Sequence, residues 1–290
     1  MAEREERIYS ILYEILGVRF QLTTDNHEMK LYLEDILEKH VADDQRCSAD
    51  FKLLIPFIEP MRRRYLTRTA PNEESILSEI QFSVESCPAF GWSSTAPPLI
   101  PFNIEAIDGK FYAYHAAAIN APKMGAILLL GNKGAGKSTN ALALCKEQGW
   151  SLLSDETCVI RSRDLVVQAL LRQPHGHIVD DQNVKRKAVL RFADNLWLKT
   201  EKESVPVLAC ELVFVPGLVV PYIEDITDKK IAIQILTRHQ LDFGGTPECA
   251  RACSKALVDR LKIVQIYHGG YQSFSRVQEN IVCAVKRMHE

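Results

Sequence analysis

Nine consecutive residues, Gly131-Asn132-Lys133-Gly134-Ala135-Gly136-Lys137-Ser138-Thr139, satisfy every fixed position of the pattern G-x-x-x-x-G-K-[ST]. The pattern constrains the fold because it works only in one frame. A buried strand must lead into the loop, the glycines must let backbone N–H groups wrap a phosphate, and a helix must follow whose N-terminus adds partial positive charge. Both flanks supply that frame. The apolar run from Met124 to Leu130 reads as a buried strand, and Ser138 to Gln148 reads as a helix stopped by Gly149. Lys137 is placed to reach outer phosphates, and the Ser138 hydroxyl to ligate Mg²⁺. The segment predicts a nucleoside triphosphate site rather than a Gly-rich turn without a ligand.

Composition narrows the partners. A net charge of -2 over 290 residues offers no surface for a polyanion, so nucleic acid is not the expected partner. No apolar run approaches the ~20 residues a membrane span needs. Met1 to Arg7 is charged and lacks the apolar centre of a signal peptide. Cys47, Cys87, Cys145, Cys158, Cys210, Cys249, Cys253 and Cys283 are scattered with no C-x-x-C pair. That usage predicts a cytoplasmic protein with reduced thiols.

Breakers divide the chain. The stretch from Cys87 to Pro98 is rich in Pro, Gly and small polar residues, and we expect a boundary there, with residues 1–95 forming a small α+β domain. A bulged hairpin within one continuous domain is the alternative. In the first part, Arg4 to Leu16 has helical apolar spacing ended by Gly17. Val18 to Leu22 alternates like a strand, Asn26 to His40 is helical again, and Phe51 to Phe57 and Ile80 to Val84 read as strands. In residues 96–290, Leu99 to Ile107 and Lys110 to Ile119 read as a hairpin joined at Asp108-Gly109. Trp150 to Leu153 is a short strand, and Glu156 to Ile160 with Leu165 to Leu171 is another hairpin. Leu208 to Pro216 and Lys262 to Tyr267 read as strands; Ile231 to Leu241, Pro247 to Leu261 and the segment from Arg276 read as helices. The expected class is α/β (α+β overall), with a mixed sheet in the larger part.

Two further signals flank the loop. Asp155 and Glu156 end the strand that follows the loop helix, and Asp155 stands 18 positions after Lys137, from 137 to 155. That leaves room for one helix of about three turns and a tight return. Acidic residues so placed can hold Mg²⁺ or orient an attacking hydroxyl. His115 precedes Gly131 by 16 positions, from 115 to 131. A lone His on a strand is more often packed than functional, but antiparallel pairing with the loop strand would return it to the phosphates.

Together these residues resemble the HPr kinase/phosphorylase superfamily, whose catalytic domain is similar in fold to phosphoenolpyruvate carboxykinase. The resemblance spans roughly His115 to Ile160. It implies an HPr-kinase-like P-loop kinase domain acting with ATP and Mg²⁺. In it, Asp155 would accept the proton of the substrate hydroxyl, Glu156 with Ser138 would hold Mg²⁺, and His115 would lie near the transferred phosphate. It implies a further acidic metal ligand about 25 residues on, where Asp180 and Asp181 stand, and often a homo-oligomer. The acidic pair is Asp-Glu here where the family has Asp-Asp, and the family's Gly-rich signature near the later acid is missing. Those departures speak against HPr as substrate and against phosphorylase activity. They resemble a divergent branch, some of whose members phosphorylate a serine of lasso-peptide precursors.

Three functions follow as expectations: a kinase for a serine of a peptide or protein, a kinase for a free amino acid or metabolite, or a nucleotide-controlled binding module or ATPase. Residues 1–95 would recognise substrate or assemble the protein. Of the remaining motifs, His175-Gly176-His177 offers two metal ligands on a turn without a third cluster to complete a site. Val184 to Lys187, with Arg172, is either a solvated basic loop or a source of cations for phosphate charge. Arg62-Arg63-Arg64 reads as a solvated segment that could meet an acidic peptide, and Lys133 faces either the terminal phosphate or solvent.

Overall fold

A computed structural model describes residues 8–24, 27, 30–31, 34, 37–44, 48–55, 62–69, 74–82, 109–179, 185–241 and 247–288, with backbone alone in 51–82 and 175–189 and at 247 and 250. The chain forms two compact units, Met1–Ile100 and Pro101–Glu290. Among the described residues, no helix is long and apolar enough to cross a membrane.

The first unit is built on one sheet, in which β1 (Tyr9–Ile15), β2 (Val18–Thr24), β3 (Phe51–Ile55), β4 (Arg62–Thr69) and β5 (Glu74–Phe82) follow one another in order. Where it is described, the expected helix from Arg4 to Leu16 is therefore a strand, Tyr9–Ile15. Ile11, Leu12 and Ile15 suit helical spacing, but Leu16 and Gly17 both take positive φ, 56° and 76°, as a tight hairpin turn requires. The turn pairs β1 with β2 antiparallel, from Tyr9 opposite Thr24 to Ile15 opposite Val18. Tyr13 and Phe20 then stack with centroids 5.5 Å apart in the core. Arg62-Arg63-Arg64, expected as a solvated segment, open β4.

The second unit is a mixed α/β structure. Its strands begin with β6 (Phe111–Tyr114), β7 (Ala116–Ala121) and β8 (Gly125–Leu130), before helix α1 (Lys137–Gln148). Next come β9 (Ser151–Ser154), β10 (Cys158–Arg161), β11 (Val167–Gln168), β12 (His175–Val179) and β13 (Lys185–Val189). Then follow β14 (Lys199–Thr200), β15 (Glu203–Ser204), β16 (Pro206–Phe214), β17 (Tyr222–Asp225), α2 (Lys229–Arg238) and β18 (Gln240–Leu241). Helix α3 (Pro247–Val258), β19 (Lys262–His268) and α4 (Phe274–Lys286) complete it.

Seven strands form the main sheet in the order β14-β9-β7-β8-β16-β19-β17. Strands β8, β16 and β19 run parallel, while β7 lies antiparallel between β9 and β8. Both faces are covered, which is why β7, β8 and β16 are nearly continuous apolar runs. On one face, Ala117, Ile127, Leu129 and Cys210 meet Leu144 and Cys145 of α1 and Ile281 and Ala284 of α4. On the other, Ala116, Ala118, Leu128 and Ala209 meet Ile235 and Leu236 of α2, Leu257 of α3, and the second sheet β15-β11-β10-β6-β18.

The expected single strand from Lys110 to Ile119 is broken at His115. Strand β6 pairs with β10 in the second sheet, while β7 enters the main one. His115 thus sits at the corner where the chain changes sheets. Its expected partner strand, Leu99 to Ile107, lies outside the described residues, as do Asp180 and Asp181. His175 and His177 lie in β12 rather than on a turn. Lys185 to Lys187, expected as a loop, form the paired β13.

Candidate active site

Strand order brings the sequence-predicted residues to one edge of the main sheet. Ala116 at the start of β7 pairs with Leu130 at the end of β8, and Ala118 pairs with Ser154 at the end of β9. His115, Gly131 and Asp155 are the residues just beyond those pairs, so three chain segments converge at adjacent strand ends. Gly131 and Asp155 follow the carboxyl ends of β8 and β9, where ligand sites in open α/β sheets form, and the antiparallel β7 brings its amino end and His115 to the same edge.

The loop needs glycine at two positions. Gly131 has φ 143°, and a Cβ there would lie 2.8 Å from the Leu212 carbonyl oxygen of β16. Gly136, at φ 89°, would put a Cβ 2.5 Å from Phe274 Cζ. The loop is therefore pressed onto β16 and onto the first residue of α4. Asn140, one turn into α1, ties the same corner: its Nδ2 donates to the Gly136 carbonyl at 2.9 Å, and its Oδ1 accepts from Gln278 of α4 at 3.3 Å. Ala135 is buried, whereas Asn132, Lys133 and Gly134 are exposed; Thr139 is half-buried.

Lys137 is 7% exposed, and its Nζ donates to the carbonyls of Gly131 at 2.7 Å and Asn132 at 3.2 Å. It lies 3.0 Å from His115 Nε2, which accepts its third hydrogen bond. Burial lowers the Lys137 pKa to about 8, partly offset by the charges of Glu156 and Asp155. Burial, and then the Lys137 charge, also lower the His115 pKa below its ordinary value. A neutral His115 accepting from a lysine ammonium fits both shifts. The His115 backbone N–H donates to the His239 carbonyl at 2.6 Å, which anchors the corner.

The acidic pair divides. The Ser138 hydroxyl donates to Asp155 Oδ1 at 2.6 Å, and Asp155 is 4% exposed. This brings together two oxygen donors of the hard kind that Mg²⁺ prefers. Glu156 takes φ 67°, in the left-handed region, and its carboxylate forms an ion pair with the buried Arg172 guanidinium. Arg172 is therefore a structured cation at the site rather than part of a solvated loop. Asp181 lies outside the described residues, so its relation to this cluster stays a matter of sequence.

A buried cluster not singled out from sequence lies under the His115 corner. Glu211, 5% exposed on β16, accepts from His239 Nε2 at 2.8 Å, Arg238 at 2.9 Å and Gln265 Nε2 at 2.7 Å. Burial raises the Glu211 pKa, but the hydrogen bonds from His239 and Gln265 outweigh it and hold the carboxyl below its ordinary range. A glutamate inside an otherwise apolar buried strand was the available signal.

The chain matches no protein-family model and no curated protein sequence. Among solved structures it is similar to the Hpr(Ser) kinase/phosphatase from Coxiella burnetii, with TM-score 0.34 and 15% identity over 61% of this chain and 99% of that one. A likeness that distant assigns neither fold nor chemistry, and the functional reading rests on the site itself.

Proposed function

We propose that this protein is a Mg-ATP-dependent kinase that transfers phosphate to a serine hydroxyl of a peptide or protein. The observation that carries the proposal is the 2.6 Å hydrogen bond between Ser138 Oγ and Asp155 Oδ1. It sets a carboxylate beside the loop's metal-ligand hydroxyl, where an acceptor hydroxyl and the terminal phosphate would meet. The compact route from Lys137 to Asp155 through a single helix is consistent with this arrangement.

Ser138 presents an oxygen donor of the kind a divalent cation prefers. Glu156, ion-paired with Arg172 in the structure, and Asp181 would join it as ligands on the sequence resemblance alone. Bound there, Mg²⁺ supplies positive charge against the phosphate oxygens. The chain's residues do the rest. Lys137 presents a cation to the outer phosphates, and backbone N–H groups of residues 131–139 cradle them. Arg172 adds a cation beside Glu156, where charge develops during transfer. His115 holds Lys137 and lies beside the transferred group. Asp155 accepts the proton as the serine oxygen attacks phosphorus and the bond to the leaving diphosphate breaks. Most of the rate comes from positioning and fixed charge, as is general for phosphoryl transfer.

Asp155→Asn should bind Mg-ATP as the wild type does and lose transfer to peptide serine, while Lys137→Ala loses binding. Equilibrium nucleotide titration with mass spectrometry of serine peptides separates the two effects. Transfer by Asp155→Asn at the wild-type rate would remove Asp155 as the base.

A further inference from the structure

The phosphate loop has two flanks at its sheet edge, and only one holds the reacting groups. His115 and Asp155 lie on the β7–β9 side. On the other side, β16 and β19 run parallel to β8 and end at the same edge, at Phe214 and His268. Aromatic contacts run outward from the loop there. Phe274 abuts Gly136 and meets Tyr271 edge-on at 5.6 Å and His268 at 5.5 Å. His268 in turn lies 6.0 Å from Phe214, whose Cε2 would be 3.3 Å from a Cβ at Gly270. His268 is buried and Phe274 half-buried, while the outer two are open to solvent: Tyr271 is 67% exposed and Phe214 53%. Val219 and Val220, a few positions after Phe214, are also exposed, at 85% and 54%. An exposed apolar patch continuous with a ligand loop calls for a ligand.

We infer that Tyr271 and Phe214 form the seat of the nucleotide's base, a site that rests on the reading of residues 131–139 as a triphosphate loop. A donor whose terminal phosphate faces Asp155 leaves its nucleoside end on the β16–β19 flank. Aromatic side chains there offer π-faces, on which any nucleobase stacks without needing a specific hydrogen-bond pattern. The flank thus selects a nucleoside triphosphate over an inorganic polyphosphate.

The test uses the full-length protein and two probes, Mg-ADP and inorganic tripolyphosphate, titrated by calorimetry against wild type, Tyr271→Ala, Phe214→Ala, Tyr271→Phe and Lys137→Ala. Stacking on one ring corresponds to about a tenfold change in affinity. The expected result is that Tyr271→Ala and Phe214→Ala each weaken Mg-ADP about tenfold while tripolyphosphate binding stays at the wild-type value. Tyr271→Phe, which keeps the ring, restores Mg-ADP binding and so separates stacking from misfolding. Unchanged Mg-ADP affinity in both alanine variants, with Lys137→Ala still abolishing it, overturns the base seat and leaves the triphosphate loop standing. A wild type that binds neither probe overturns the loop reading and the base seat together.

Discussion

If residues 131–139 hold a nucleotide, Lys137 should make its binding a proton-coupled event. In the free protein its ammonium is held by the Gly131 and Asn132 carbonyls and His115, in a site dry enough to bring its pKa down to about 8. The unfolded chain keeps the ordinary lysine value of about 10.4. Between those values the native chain binds fewer protons than the unfolded one, so stability rises with pH across that window. A triphosphate reverses this, because its negative charge favours the ammonium and returns the pKa to or above its ordinary value. A return from about 8 to the ordinary lysine value corresponds to about 3 kcal/mol of binding free energy that depends on protonation. At pH near 8.5 about three quarters of Lys137 is neutral when free, so each Mg-ADP bound takes up roughly 0.75 proton. Calorimetry in two buffers of different ionisation heat measures that uptake directly. Affinity should fall about tenfold per pH unit above pH 8. Lys137→Arg, which stays charged at these pH values, should take up no proton and lose the pH dependence. Wild-type binding with no proton uptake at pH 8.5 refutes the reasoning, as does the same uptake in Lys137→Arg.

Two further predictions follow from packing. Gly136→Ala forces a Cβ to within 2.5 Å of Phe274 at φ 89°, so the loop and the start of α4 must part. Urea unfolding should show a loss of at least about 1–2 kcal/mol from the left-handed backbone alone, and Mg-ADP binding should weaken more than stability does. Glu211→Gln replaces a charged acceptor of three hydrogen bonds with a neutral amide, and denaturation at pH 7 should show a loss of about 2 kcal/mol. Because the Glu211 carboxyl is held below its ordinary range, its contribution is present above that range and is lost as the pH falls through the lowered value. The variant should therefore resist acid with a shallower loss of stability, measured by the unfolding midpoint from pH 7 to 3.

Much of the second unit was legible because its elements are bounded by hard signals. The strand from Gly125 to Leu130 is an apolar run ending at a glycine, and α1 ends at Gly149 in the left-handed conformation. Strands β16 and β19, and helices α2, α3 and α4, fall within a few residues of their expected ranges. Failures came where pairing partners decide. Ile11, Leu12 and Ile15 fit a helix as well as a strand, and the Leu16-Gly17 turn settled it only by pairing β1 with β2. Nothing local marks the break at His115, since no Gly or Pro stands between Phe111 and Ala121; the competing pairings of β6 and β7 create it. Arg172 and Glu156 lie 16 positions apart, and Glu211 and His239 lie 28 apart, so neither pairing was readable without the topology. For the same reason, the approach of His115 to Lys137 was open in the sequence and depends on the antiparallel register of β7 and β8.

Phosphoryl transfer to serine with Asp155 as the proton acceptor is the reaction we propose. The most direct measurement incubates full-length protein with Mg-ATP and a library of serine-containing peptides, then reads phosphorylated positions by mass spectrometry, with Asp155→Asn in parallel. Phosphoserine is expected on a defined subset of peptides with the wild type and none with Asp155→Asn, while both proteins should bind Mg-ATP. Consumption of ATP with phosphate appearing only in water, or equal serine labelling by the two proteins, would contradict it.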